Sequence, residues 1–265
     1  MMAVHASTGK LRQRKSLGQC FLQDRVALET IAAALDPLRK KTVVEIGGGD
    51  GALTQYLTEA QRLIVYELDP RFAERLQQKA ATFVAALPAE LIAFPRTEIR
   101  NEDFLGADLA QFKNNYLLTG NIPYAISGLI LRKILTEANR PERLVFTVQK
   151  EYAERLLGLP HENFFSNWLR VWGEVKKICT IKRTAFSPAP AVDSMAIRIN
   201  FLSKPLVDEP ETFARFLKLL FRQPRKTIGN NLKQSGVVVP EALQKKRPHE
   251  LTFDQILALY RATKK

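Results

Sequence analysis

The run Thr42-Val43-Val44-Glu45-Ile46-Gly47-Gly48-Gly49-Asp50-Gly51 decides the fold. Its first five residues are short, apolar and β-branched, the composition of a buried strand, and the glycines that follow end it. Ala52 to Ala60 then carries a helical pattern, so the stretch predicts a strand, a glycine loop and a helix. Gly47, Gly49 and Ala52 satisfy G-x-G-x-x-G/A, in which glycines let the backbone approach a ligand closely. Glu67, twenty positions after Gly47, closes the next strand, where a carboxylate can accept from both hydroxyls of an unphosphorylated ribose. Dinucleotides and S-adenosylmethionine share those needs, and a plain strand-to-helix turn also fits, so the loop by itself leaves three readings open.

Outward from this loop the pattern alternates. Asp24 caps a helix through Leu35 with Val26, Leu28, Ile31 and Leu35 as its apolar face. After the loop come a strand over Leu63 to Leu68, a helix from Pro70 to about Ala85 and a strand over Thr97 to Arg100. A short helical piece around Ala107 to Phe112, a strand beginning at Tyr116, a helix from Ser127 to Ala138 and a strand over Leu144 to Val148 follow. Two extended runs, Val175 to Ile181 and Val192 to Phe201, bring the strands to seven. Such alternation predicts an α/β fold, a Rossmann-like, mostly parallel seven-stranded sheet. Beyond Pro205 the pattern is purely helical, with Phe213, Phe216, Leu217 and Leu220 at core spacing and Arg222, Arg225, Lys226 and Lys233 between and after them. The expected organisation is a basic flexible arm over residues 1–22, a catalytic domain over 23–202 and a small, all-helical, basic RNA-binding domain over 203–265.

The chain has 265 residues and a formal net charge of +13, unevenly spread: +4 over residues 1–40, −2 over 41–175 and +11 over 176–265. A near-neutral middle beside basic ends suits a small-molecule site with a polyanion held next to it, since Lys and Arg gain affinity by releasing phosphate counterions. Two cysteines and three scattered histidines supply neither a disulfide framework nor a metal-ligand cluster. No stretch approaches the roughly 18 apolar residues of a membrane span. A cytoplasmic, metal-free monomer with no membrane contact is the expectation.

Asn121-Ile122-Pro123-Tyr124 follows the Tyr116 strand, at the sheet edge where open α/β folds bind ligands. Asn offers a fixed acceptor, Pro stiffens the backbone and Tyr gives a flat face for a base, a kit that suits a planar amine; an ordinary turn is the alternative. Asp103, after the third strand, either lines the same edge or caps the short helix behind it. Phe186, in Phe186-Ser187-Pro188-Ala189-Pro190, reads without further information as a core aromatic beside a proline-rich turn. No acid/base constellation for hydride transfer is evident.

Six motifs together resemble a known family. Gly18-Gln19-Cys20-Phe21-Leu22, Glu45-Ile46-Gly47-Gly48-Gly49, Glu67-Leu68-Asp69, Asn121-Ile122-Pro123-Tyr124, Val148-Gln149-Lys150-Glu151 and Phe186 to Ser194 are similar, in order, to the KsgA family of small-subunit ribosomal RNA adenine N6,N6-dimethyltransferases. The related Erm enzymes, which methylate a large-subunit adenine, share Asn-Ile-Pro-Tyr; the Val192-Asp193-Ser194 ending resembles the small-subunit group more. The resemblance implies S-adenosylmethionine as cofactor and the small ribosomal subunit, or an assembly intermediate, as partner. It implies that Cys20, Leu22, Glu45, Gly47, Gly49, Glu67, Asp103 and Asn121 belong to the cofactor pocket, with Glu67 on the ribose and Asp103 on the cofactor's adenine. Asn121, Ile122, Pro123 and Tyr124 would form the catalytic tetrad, with Tyr124 and Phe186 sandwiching the target base. One departure stands out: the family usually has Asn where this chain has Cys20, which raises the alternative of an RNA-binding assembly factor that keeps the fold without turnover.

Overall fold

The computed structural model describes residues 19–85, 96–112 and 115–263. Most of the expected arm, residues 1–18, lies outside them. Its end does not behave as an arm: Phe21–Leu22 is strand β1, paired antiparallel with a later strand. Helix α1 (Arg25–Ala33) is capped by Asp24, whose side chain accepts from the Ala27 N–H. Leu28, Ile31 and Leu35 are buried as expected, whereas Val26, in the first turn, is 73% exposed and is no part of the apolar face.

Strands β2 (Thr42–Ile46), β3 (Arg62–Tyr66) and β4 (Arg96–Arg100) are parallel neighbours, with helix α2 (Pro70–Ala85) between the last two. β5 (Tyr116–Asn121) pairs with the other side of β2 and is followed by helix α3 (Ser127–Thr136); β6 (Arg143–Gln149) then adds parallel to β5. Residues 150–172, for which the sequence pattern predicts no element, form helices α4 (Lys150–Leu157) and α5 (Phe164–Arg170). β7 (Gly173–Ile181), β8 (Phe186–Ser187) and β9 (Ser194–Phe201) follow. The main sheet has the order β4-β3-β2-β5-β6-β9-β7, with only β9 antiparallel to its neighbours, and β8 pairs with β1 in a separate two-stranded ribbon. The seven-stranded, mostly parallel sheet is thus the one expected from sequence.

Both faces of the sheet are buried, so its strands alternate between two apolar clusters and not between core and water. Val44, Ile46, Ile64 and Tyr66 face one cluster, and Val43, Leu63 and Val65 the other. The C-terminal helices α6 (Pro210–Leu220), α7 (Ile228–Leu232), α8 (Glu241–Gln244) and α9 (Phe253–Ala262) contribute Phe213, Phe216, Leu217, Leu220, Ile256 and Leu259 to the first cluster.

The helix expected over Ala52 to Ala60 is absent. Only a single 3₁₀ turn, Thr54–Tyr56, forms there. Leu53, Leu57 and Ala60 are buried at the helical spacing that prompted the expectation. The side chains between them compete for the backbone: the Gln55 amide donates to the Ala52 carbonyl, the Thr58 hydroxyl to the Gln55 carbonyl, and the Thr54 hydroxyl turns inward to Glu45.

Candidate active site

The strand order reverses its direction of growth between β2 and β5, and ligands of open α/β sheets sit at the carboxyl ends of the strands at such a point. Ile46 is in register with Gly120, so the glycine loop after β2 and Asn121 at the end of β5 emerge side by side. Above them is a cavity of about 590 Å³, within the size range of small-molecule sites.

The loop's conformation requires its glycines. Gly47 has φ +74°, and a Cβ there would project into open space; Gly49 has φ +53°, and a Cβ there would lie 2.6 Å from the Phe21 ring. Phe21 in turn packs on Phe72, with ring centroids 5.0 Å apart. Glu67 is buried, its Oε2 accepting from the Gly49 N–H and its Oε1 from the Asp69 N–H, both at 2.8 Å. Burial raises its pKa against the pull of those backbone donors. Each carboxylate oxygen keeps a lone pair for a ligand hydroxyl. Asp103 lines the cavity and also caps the turn behind it, Oδ1 accepting from the Leu105 N–H at 2.9 Å, so both roles weighed from sequence coexist. Next to this wall, Asp69 is held at about 2 by its ion pair with Arg71, and it also accepts from the Gln19 amide at 3.3 Å.

Asn121 is oriented by the backbone of residue 20. Its Nδ2 donates to the Cys20 carbonyl at 2.7 Å; a carbonyl can only accept, so the amide nitrogen is fixed on that side and the oxygen is left as the acceptor. The Ile122 N–H is spent on the Thr147 carbonyl at 3.0 Å, which anchors the tetrad to β6. Tyr124 is held through its hydroxyl, 2.7 Å from the Ser194 hydroxyl, and burial raises its pKa. Phe186 reaches the same cavity from the β1–β8 ribbon, 5% exposed, and is in register with Leu22.

The structure therefore brings Cys20, Gly47, Gly49, Glu67, Asp103, the whole Asn121–Tyr124 tetrad and Phe186 around one cavity. Two residues of the expected cofactor set lie outside its lining. Leu22 is 4% exposed and packs in the apolar core beside its register partner Phe186, whose larger ring also reaches the cavity. Glu45 is buried beneath the loop, accepting from the Thr54 hydroxyl at 2.7 Å, and burial pushes its pKa up to about 7. Cys20 is half-buried and its thiol is pushed up by burial, the behaviour of a neutral packing residue and not of a reactive thiolate. Arg222, Arg225, Lys226 and Lys233 are all exposed on the C-terminal helical part and do not line the cavity.

Phe21, Gln149 and Val192 line the cavity without having been given a site role from sequence; all three stand inside motifs quoted above, and Val192 lies just before β9 and not within it. Among the described residues no group of three or more His, Cys, Asp or Glu could hold a metal ion, and no helix is long and apolar enough to cross a membrane.

Comparison with known proteins agrees with this architecture. The ribosomal RNA adenine dimethylase family profile matches residues 10–261. The ribosomal RNA small subunit methyltransferase A of Thermotoga maritima is 33% identical over 254 residues, covering 94% of this chain and 85% of that protein. The protein of the same name from Acidobacterium capsulatum is 34% identical over 273 residues, covering 97% and 93%. Of solved structures, the 23S rRNA methyltransferase ErmE shares the fold with a TM-score of 0.76 at 24% identity, over 92% of this chain and all of that one. A dimethyladenosine transferase from Plasmodium falciparum does so with a TM-score of 0.76 at 22% identity, over 90% and 95%. This chain belongs to the ribosomal RNA adenine dimethylase family.

Proposed function

We propose that this protein transfers methyl groups from S-adenosylmethionine to N6 of adenines in small-subunit ribosomal RNA, dimethylating them during ribosome biogenesis in the cytoplasm, and that it acts as a monomer. The observation that carries the reading is the fixed orientation of Asn121, whose amide oxygen remains an acceptor in a cavity lined also by Ile122, Tyr124 and Phe186.

The cavity fits the cofactor. Among the described residues its lining contains Glu67, Glu102 and Asp103 and no Lys, Arg or His. Three carboxylates favour a ligand with ribose hydroxyls and positive charge, and they oppose a dinucleotide, which brings two phosphates. The space open at Gly47 admits a ligand against the backbone. S-adenosylmethionine, when bound, supplies an electrophilic methyl on a sulfonium. Gly47, Gly49, Glu67 and Asp103 would hold it.

The chain's own residues then have a defined task. The lone pair of an adenine amine is delocalised into the ring, and the nitrogen must pyramidalise to attack. The Asn121 Oδ1 and the Ile122 carbonyl accept from the two N–H groups and favour that geometry over the planar one. No strong general base is needed. Tyr124 and Phe186 replace the stacking that the base loses on leaving the RNA, roughly 1–3 kcal/mol per base. The family's usual Asn at position 20 is not needed for this arrangement, because the bond to Asn121 comes from the residue 20 carbonyl, which a cysteine supplies equally. That favours an active enzyme over a fold kept only for RNA binding.

The test is tritiated S-adenosylmethionine offered with unmodified small subunits, large subunits and naked RNA, followed by nucleoside analysis and mapping. N6,N6-dimethyladenosine in small subunits is the expected product. Label confined to large subunits would make the enzyme Erm-like, and cofactor binding without transfer to any of the three would make it an assembly factor.

A further inference from the structure

Gln149 ends β6 at the cavity, on whose wall it stands with Asn121, Pro123, Tyr124 and Phe186. It is also part of the wall of a smaller adjoining cavity of about 360 Å³. Across the β6–β9 ladder its partner is Ser194, the residue that holds the Tyr124 hydroxyl. Gln149 thus lies beside the ring on which the target base stacks. It is half-buried, and no described residue hydrogen-bonds its side chain.

An adenine whose amine faces Asn121 also brings N1 and N7, two acceptors flanking the reacting edge. Burying them without a donor costs their desolvation. The cavity's polar side chains are poorly suited to donate. Glu67, Glu102 and Asp103 are carboxylates, Gln19 and Asn121 each have one amide N–H committed, to Asp69 and to the Cys20 carbonyl, the Tyr66 hydroxyl is engaged by Arg100, and the Tyr124 hydroxyl shares with Ser194 a bond in which either oxygen can donate. Among the described residues of the lining, Gln149 is the amide with neither N–H committed. Resting on the adenine-N6 reading above, we propose that Gln149 reads the target base, its side-chain N–H donating to N1 or N7 next to the reacting amine. The acceptors at Asn121 and Ile122 recognise an amine, and the donor at Gln149 adds recognition of a ring nitrogen beside it; a bond to N7 would also set adenine apart from cytosine, whose N3 matches N1.

The test is a chemical double-mutant cycle. Small subunits are assembled with ribosomal RNA ligated to carry adenine, 1-deazaadenine or 7-deazaadenine at the position mapped in the preceding assay, and single-turnover transfer is measured for the parent, Gln149→Ala and Gln149→Glu. One analogue is expected to slow the parent about tenfold, Gln149→Ala to slow transfer to ordinary adenine about as much, and the two together to lose no more than either alone. Gln149→Glu should be slower than Gln149→Ala, because a carboxylate faces the ring lone pair. A purely structural role would not cancel against removal of one ring atom. Losses that multiply with both analogues, or a Gln149→Ala rate within twofold of the parent, overturn the proposal. Should Gln149→Ala fold poorly by thermal melting, Gln149→Met fills the same space without a donor and takes its place in the cycle. Failure of the parent to methylate ordinary adenine would instead overturn the adenine-N6 reading, and this inference with it.

Discussion

The two walls of the cavity differ in kind. The wall built from Phe21, Gly47, Gly49, Glu67, Glu102 and Asp103 carries three carboxylates, and Glu67 is locked by two backbone N–H donors. The wall built from Asn121 to Ile126, Gln149, Phe186 and Pro190 to Val192 carries no charge at all. A ligand on the first wall is held by strong ground-state interactions with preformed charge. On the proposed function, a base on the second would be held by stacking and a few directed neutral bonds, so what that wall would do best is to choose a geometry. Damage to the first should appear as lost affinity, and damage to the second as lost rate.

Asn121→Ala is expected to give the largest effect. Removing an acceptor used mainly in the transition state should cost about 2.7–4 kcal/mol, or 10²–10³ in single-turnover rate at saturating cofactor and RNA, by analogy with a deleted oxyanion-hole donor. A drop of less than about fivefold would reduce Asn121 to a turn residue and erase the contrast between the walls. Glu67→Ala should act on the other side, weakening S-adenosylmethionine binding by about 1.5–3 kcal/mol in calorimetry while transfer at saturation falls less. Affinity equal to that of the parent would remove Glu67 from the site.

Glu45 sharpens the comparison through pH. Its folded pKa of about 7 stands above the ordinary 4.5 because burial disfavours its charge. The folded state therefore holds this proton more tightly than the unfolded chain does. The stabilisation is fully present below about pH 4.5 and is lost as pH rises through about 7. Glu45→Gln, which keeps an acceptor for Thr54, should melt higher than the parent at pH 8, by roughly 1–2 kcal/mol, with the gain shrinking towards pH 5. A gain independent of pH would refute the titration. The smallest effect on chemistry is expected far from both walls. Changing Arg222, Arg225 and Lys226 together to Gln should flatten the salt dependence of RNA binding by up to about 2–3 in log–log slope, with cofactor affinity intact. An unaltered slope would mean that the basic helical surface takes no part in holding RNA.

How legible each wall was in the sequence follows from how local its construction is. Gly47, Gly49, Glu67 and Asn121 stand directly after strands whose β-branched runs and breakers are read within ten residues, and the sheet edge gathers them without further information. Leu22 and Phe21 were harder to tell apart. Which of two adjacent residues faces the cavity depends on the pairing of β1 with β8, set by residues 186 and 187. Glu45 belongs to the cofactor set that the family resemblance implies, yet alternation along β2 turns it under the loop to Thr54. The false helix over Ala52 to Ala60 has the right apolar spacing, and only the side-chain bonds of Thr54, Gln55 and Thr58, visible in three dimensions, break it. Gln149 stands inside a quoted motif, but a glutamine at a strand end points to no role until its neighbours across the ladder are known.

The β1–β8 ribbon has a consequence for the order in which the molecule can come into being. Phe21 leaves the ribosome early, but its strand partner Ser187 is made only after every parallel strand of the sheet has been made. Asn121, likewise, cannot be pinned to Cys20 before β5 exists. A nascent chain halted before Phe186 would already own the glycine loop, Glu67 and Asn121 and still lack one side of its pocket. Chains released at residue 185 should not retain S-adenosylmethionine, whereas full-length chains should; competence arrives late in synthesis, as for any site closed by contacts remote in sequence.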